Sequence, residues 1–521
     1  MNSQEFREAA HKAVDQIIDY YETIDGRRVT PEIQPGYLAP MLPDAPPQEG
    51  EAWDVIQKDL TDKIIPGLTH WQSPNFLAFF PANATYPGML GELYSSAFTC
   101  AAFNWICSPA VTELETVVLD WLCNLLNLPP CYLSTSPTGG GGVIQGSASE
   151  AIVIVLVAAR DRYLRQCAEG VTDEREIERI TAEKRSKLVA LGSTQAHSST
   201  QKAALIAGTK FATVEVDKEY KLRGEALRKK IRELKEEGLE PFFLTCTLGT
   251  TSTCAIDAFD EIATVAQENP NLWVHVDAAY AGAALILPEY KHLTTSFSHF
   301  DSFDMNMHKW LLVPFDASCL FVKSRKPLLD ALSITPFFLR NQFSETGLVT
   351  DYRDWQIPLG RRFRALKIWF VMRSYGVVGM QKHLYHTMSV GEAFKGMVRG
   401  REDLFEVVAE PRFGLTVFRV RGDVGGVEVG KEERSKRANG LTKEVYEKVN
   451  AGGEVYLTST VLGGVYAIRV VTGAPRAEER FVRRAFELLV KAVEEVAGVA
   501  VEEEAARKVS EEVEGPQLRG V

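Results

Sequence analysis

Leu272-Trp-Val-His-Val-Asp-Ala-Ala-Tyr-Ala-Gly282 is an apolar, β-prone run that ends in an acid followed by small residues. Such a strand puts a carboxylate at the edge where open α/β sheets receive their ligands. Around it, β-rich runs at 242–247, 302–305 and 318–322 alternate with helical patterns. That alternation predicts an α/β domain with a largely parallel sheet over residues 86–375. Beyond 376 the pattern changes. Residues 413–420 and 455–471 look like antiparallel strands and 433–449 and 476–497 like helices, predicting a small α+β domain over 376–521 that ends in a charged, fraying tail. Residues 1–85 form an N-terminal segment. Its Phe6, Ala10, Val14, Ile17 and Tyr21 fall three or four apart, as on one helix face. Pro40, Pro43, Pro46 and Pro47 follow, and that density of proline predicts an extended path over another surface.

Composition narrows the function classes. The 521 residues are 45% hydrophobic and 24% charged, as in ordinary globular chains. A formal charge of −11 would repel a phosphate backbone, so nucleic acid is not expected as a partner. The eight cysteines are scattered, with no C-x-x-C pair, which suggests neither a metal site nor a disulfide framework and fits a reducing, cytoplasmic compartment. The opening residues carry acids early and lack a signal-type apolar core, and the apolar run from Ala151 to Ala159 is too short to span a bilayer.

Three further motifs carry chemistry. Thr138-Gly-Gly-Gly-Gly-Val-Ile-Gln-Gly-Ser-Ala-Ser-Glu150 precedes an apolar helical run, and Ser147 with Glu150 has capping-box spacing. A helix starting there would turn free N–H groups and its positive dipole end toward a phosphate. Asp304-Met-Asn-Met-His-Lys-Trp-Leu-Leu312 places Lys309 directly after a strand, between His308 and Trp310. A partly buried amine loses its proton more easily and can form a Schiff base. Gln195-Ala-His-Ser-Ser199 offers His197, whose ring can stack on an aromatic cofactor. Singly, each motif has a plainer explanation: a capped helix, a snorkelling lysine, a structural histidine. Asp277 alone is most simply a capping acid. Together, a phosphate cradle, an acid able to keep a pyridine nitrogen protonated and an amine match the needs of pyridoxal chemistry.

Those motifs, with THW, LGTT and above all TDYRDWQIPLGRRFRALKIWFV, resemble the aromatic-L-amino-acid decarboxylases, which are group II, fold-type I pyridoxal-phosphate enzymes. The likeness runs from the N-terminal helix to about residue 385 and weakens beyond it. It implies the aspartate aminotransferase-like fold and a carboxy-lyase using pyridoxal 5′-phosphate. Lys309 would hold the cofactor, Asp277 would pair with its ring nitrogen and His197 would stack on it. Ala148, Ser149, Asn306 and His308 would surround the phosphate, with Thr251 beside ring and substrate. The resemblance further implies a homodimer whose N-terminal segment wraps the partner subunit. Trp71, Phe79, Phe80 and Pro81 would then wall the substrate pocket, with Phe103 supplied by the neighbour. A flat, apolar substrate side chain suits such a box.

The sequence departs from the amine-forming members at one place. Where they carry a loop tyrosine tied to protonation of the product carbon, this chain has Phe338, next to Phe337. A phenyl ring cannot act as a general acid. Members with phenylalanine here resemble this sequence and are aromatic acetaldehyde synthases, which consume O₂ and release aldehyde, CO₂, ammonia and peroxide. The alternative is plain decarboxylation to the amine, another acid or water donating the proton. Gly360, in IPLGRRF, matches members that accept large indole or catechol substrates. Phe79 in place of tyrosine and Ala101 in place of a larger aliphatic make the pocket less polar or roomier, favouring phenylalanine, tryptophan or tyrosine. An aminotransferase or cysteine desulfurase would share cradle, acid and lysine but not TDYRDWQIPLGRRF. A non-catalytic binding protein would not be expected to keep Lys309, Asp277 and His197 together.

Overall fold

The computed structural model describes the chain apart from residues 335, 337, 338, 340, 346–348, 428, 429 and 499–521. Contacts divide it into two compact units, residues 82–388 with 411–413, and residues 1–81 with 389–410 and the chain from 414 onward.

The first unit is built on a seven-stranded sheet. Its strands are β1 (Gly141–Gln145), β2 (Leu188–Ser193), β3 (Lys210–Val214), β4 (Glu240–Thr247), β5 (Trp273–Asp277), β6 (Ser302–Asn306) and β7 (Ser318–Val322). They lie in the order β1-β7-β6-β5-β4-β2-β3, and β7 alone pairs antiparallel with its neighbours. Strands covered on both faces read as continuous apolar runs, and β4 to β7 were legible for that reason. The glycine run before the cradle leads into the strand β1, which no β-rich run in the sequence marks. Glycine is needed just before it because a Cβ on Gly140 would run into the Cys131 carbonyl oxygen. β3 is an edge strand with mixed exposure, so it carries little apolar signal. The helix Ala148–Cys167 buries Ile152, Val155 and Ala159 in a core with Phe242, Phe243, Trp273 and Leu320.

The second unit carries a four-stranded sheet, β10-β11-β9-β8, from β8 (Phe405–Arg412), β9 (Leu415–Val420), β10 (Thr458–Leu462) and β11 (Val465–Val471). Residues 75–77 add to it: Tyr456 donates to the Asn75 carbonyl at 3.1 Å, Leu77 to Tyr456 at 3.0 Å and Val471 to Leu77 at 3.0 Å. These bonds tie the N-terminal segment to C-terminal strands. Helices Lys431–Gly452 and Glu479–Ala497 cover the sheet over Phe394, Phe405, Phe418 and Leu489. The N-terminal helix Ser3–Thr23 opens with a capping box at Asn2 and Glu5. It buries Ala9 and Tyr21, while Phe6, Val14 and Ile17 of the expected face remain exposed. Near the sequence boundary at 375, the helix Arg364–Gly400 is broken at Gly376 (φ 62°, ψ 178°). Among the described residues no helix is long and apolar enough to cross a membrane.

One close approach in the first unit is testable. A Cβ on Gly91, in the helix Tyr86–Phe98, would lie 2.5 Å from the Lys367 Cα, so backbone must move to admit it. Gly91→Ala should destabilise the protein by about 1–3 kcal/mol despite alanine's better helix propensity. Urea unfolding checks this, and a stabilised variant would contradict the packing.

Candidate active site

Parallel pairing brings three polar residues to one edge of the larger sheet. Thr247 ends β4, Asp277 ends β5 in register with it, and Asn306 ends β6. Asp277 is buried, and one carboxylate oxygen accepts the Ala279 N–H at 3.0 Å. One turn of helix, Met307–Trp310, follows β6 and carries Lys309. That turn is clamped from a distance. Asn83 donates its backbone N–H to the His308 carbonyl at 2.7 Å and its side-chain amide to the Lys309 carbonyl at 2.9 Å. The Asn83 side-chain oxygen accepts Leu312 N–H at 3.1 Å, and the Thr85 hydroxyl donates to the Leu312 carbonyl at 2.7 Å. Trp310 stacks on Tyr280, centroids 4.7 Å apart, and its indole N–H donates to Thr387. Burial lowers the Lys309 pKa, opposed by the nearby Asp277 and Asp304 carboxylates. A desolvated amine so placed is a nucleophile nearer neutral pH than a surface lysine.

The cradle lies where β1 meets the helix Ala148–Cys167. Ser147 caps the helix, its hydroxyl accepting the Glu150 N–H at 3.2 Å. The reciprocal half of the expected capping box is displaced by one residue: the Glu150 carboxylate accepts from Gly146 at 2.9 Å, not from Ser147. The Ala148 and Ser149 amides then face the helix N-terminal end without a protein acceptor among the described residues. His308 adds a donor. Its Nδ1 accepts the Ala317 N–H at 2.8 Å, so a neutral ring carries its proton on Nε2. Burial and the Lys309 charge push the His308 pKa down to about 4. The Asn306 amide oxygen is buried without a hydrogen-bond partner among the described residues.

His197 is anchored through Nδ1, which accepts the Ser199 N–H at 3.2 Å, again leaving the proton to Nε2. Desolvation lowers its pKa, Asp277 raises it and Lys309 lowers it, so the three groups lie within electrostatic reach of one another. Thr251, Ala101 and Gly360 are exposed and Phe103 half-buried in the same unit. Among the described residues, chain neighbours aside, no atom lies within 4 Å of a Cβ placed on Gly360. Trp71, Phe79, Phe80 and Pro81 belong to the other unit. Trp71 and Phe79 stack at 5.6 Å, with Phe76 4.4 Å from Trp71, and Arg469 lies 5.4 Å from the centre of the Phe80 ring. Phe338 lies outside the described residues.

The pyridoxal-dependent decarboxylase conserved domain matches residues 35–421. The chain is 41% identical to the aromatic-L-amino-acid decarboxylase of Sus scrofa, over 94% of this chain and 96% of that one. It is 42% identical to the phenylacetaldehyde synthase of Arabidopsis thaliana, over 94% and 96%. A crystal structure of Oryza sativa TDC with PLP and tryptamine superposes with a TM-score of 0.89 at 38% identity, covering 95% of this chain and 99% of that one. The chain belongs to the pyridoxal-dependent aromatic amino acid decarboxylase family. Its cofactor is pyridoxal 5′-phosphate, and the residues present fit it. A phosphate finds donors in Ala148, Ser149 and His308, and in Asn306, whose amide offers N–H groups after a simple flip. Asp277 would supply the acid for a ring nitrogen and Lys309 the amine for the aldehyde. Asn83 and Thr85 were not legible as functional residues, because their partners lie more than two hundred residues away and neither sits in a recognisable motif.

Two measurements test this arrangement. Borohydride reduction of the holoenzyme should attach the cofactor to the Lys309 peptide, and Lys309→Ala should lose both attachment and turnover; label on another lysine would displace the assignment. The second concerns acid stability. The folded pKa of His308, about 4, lies below its ordinary 6.5, so its contribution is complete above 6.5 and lost as pH falls toward 4. In the apoprotein, His308→Gln should shrink the stability loss across that window by an amount on the order of 2–3 kcal/mol. An unchanged urea midpoint profile would show that His308 is not held neutral.

Proposed function

We propose that this protein decarboxylates an aromatic L-amino acid of the phenylalanine, tryptophan or tyrosine type and converts the product carbon oxidatively. The balance is amino acid plus O₂ and water giving the aryl acetaldehyde, CO₂, ammonia and hydrogen peroxide. The carbon–carboxylate bond breaks, the carbon–nitrogen bond is hydrolysed, and the electron pair released passes to oxygen. When bound, pyridoxal 5′-phosphate supplies the electron sink that lets the α-carbon lose CO₂. The chain's own residues do the rest. Lys309 would hold the aldehyde, Asp277 would keep a proton on the ring nitrogen, and the His197 imidazole would help orient the carboxylate that leaves. The cradle around Ala148, Ser149, Asn306 and His308 fixes the phosphate end, and Thr251 stands beside the substrate.

The observation that carries the product assignment is Phe338, flanked by Phe337. The position where amine-forming relatives hold a phenol has no exchangeable proton here, so the carbon that has lost CO₂ waits longer for protonation and meets oxygen. Identities of 41% and 42% to a decarboxylase and to an aldehyde synthase do not separate the two reactions, which leaves the loop to decide. The side-chain-free Gly360, with open space beside it among the described residues, supports a bulky substrate. The exposed Phe6, Val14 and Ile17 support a homodimer, each N-terminal helix lying on its partner. Eight free thiols support a cytoplasmic location.

Wild-type enzyme given phenylalanine, tyrosine or tryptophan should release CO₂, ammonia and peroxide together while consuming O₂. Phe338→Tyr should raise the amine-to-aldehyde ratio by about a hundredfold, the lower end of what a positioned general acid contributes, with cofactor binding intact. Stoichiometric amine without oxygen uptake from the wild type would replace this reading with simple decarboxylation.

A further inference from the structure

Glu115 and Arg361 form an ion pair in which each side chain is only 2% exposed, and the proposed chemistry uses neither charge. Burying two charges costs desolvation that their attraction merely offsets, so stability alone does not explain the pair. Its other contacts do. Glu115, in the helix Pro109–Leu125, also accepts the Ile144 N–H of β1 at 2.8 Å, and β1 leads directly into the phosphate cradle. Arg361 reaches the opposite way. Its backbone N–H donates to the Ala101 carbonyl at 2.7 Å. Its guanidinium donates to the Gln356 side-chain oxygen, and the Gln356 amide turns back to the Gly360 carbonyl at 3.3 Å, sharing itself with Pro358. The same guanidinium lies 4.8 Å from the centre of the Tyr352 ring, whose hydroxyl bonds Thr116 at 2.9 Å, one residue along from Glu115.

Ala101 and Gly360 have almost no side chain with which to shape a pocket, so their backbone positions set its width. One residue holds both: the Ala101 carbonyl directly, the Gly360 carbonyl through Gln356. We propose that the Glu115–Arg361 pair is a positioning device that fixes Ala101 and Gly360 against the phosphate cradle and thereby sets which aromatic side chain is accepted. The proposal rests on these two residues lining the substrate pocket, as read above. It is independent of whether amine or aldehyde is released.

Arg361→Lys tests it. Lysine keeps a cation opposite Glu115, so the fold keeps its charge balance, but one ammonium cannot reproduce the forked contact to Glu115 and Gln356. Gln356→Met removes the brace on Gly360 and leaves the ion pair in place. CO₂ release is measured with the two aromatic amino acids that wild type turns over fastest. Their ratio of kcat/KM is independent of the fraction of active enzyme, so partial unfolding cannot move it. The ratio should change by about tenfold in Arg361→Lys and in the same direction in Gln356→Met, mostly through KM. Bound-cofactor absorbance should be unchanged in both. If Arg361→Lys does not fold, Gln356→Met decides alone. Ratios within twofold of wild type in the folded variants would overturn the proposal while leaving the decarboxylase reading intact. Wild type releasing CO₂ from no aromatic amino acid would remove that reading and this inference with it.

Discussion

The parallel pairing of β4, β5 and β6 is the constraint on which the site depends. Register places Thr247 and Asp277 level, and brings β6 to its end at Asn306 beside them. The backbone hydrogen bonds are spent within the sheet, so side chains and the following turns are what remain to meet a ligand at that edge. Held at that edge, the buried Lys309 amine has its pKa lowered by desolvation, with the nearby Asp277 carboxylate opposing the shift. The helix Ala148–Cys167 adds its positive end and completes a site with an acid, a base and an anion hole in fixed relation.

Much of this was legible because it is local. Strand, acid and small residues at 272–282, or strand, histidine, lysine and tryptophan at 302–310, are contiguous in sequence, and their chemistry follows from residue type. The resemblance then placed Asp277, His197 and Lys309, and the structure puts the three within electrostatic reach of each other. The strand β1 was not legible because its opening glycines serve close packing, as Gly142 does against Phe321, and carry no β-prone signal. β3 escaped because an edge strand needs no apolar face on its open side.

What sequence could not supply was the set of residues that hold the site from afar. Asn83, Thr85, Glu115 and Arg361 act through partners far away in the chain; the first three would pass for ordinary helix or loop residues, and the motif around Arg361 does not reveal its partner. Their buried polar contacts cost desolvation and gain geometry. Enzymes need that trade where a small error in the placement of a reacting group lowers the rate steeply.

The clamp on the lysine turn also bears on how the protein is made. Lys309 reaches its final setting only after Asn83, Thr387 and Phe413 have all arrived, since Asn83 bonds its carbonyl, Thr387 receives the Trp310 indole and Phe413 accepts the Tyr280 hydroxyl beneath it. A chain emerging from the ribosome has translated Lys309 about a hundred residues before the last of these. Before the fold closes the amine is an ordinary solvated lysine, mostly charged near neutral pH and so a weaker nucleophile than the desolvated amine of the folded site. Long-range closure therefore ties reactivity to folding: the nucleophile matures with the fold, gaining its full strength only when the clamp on its turn has formed.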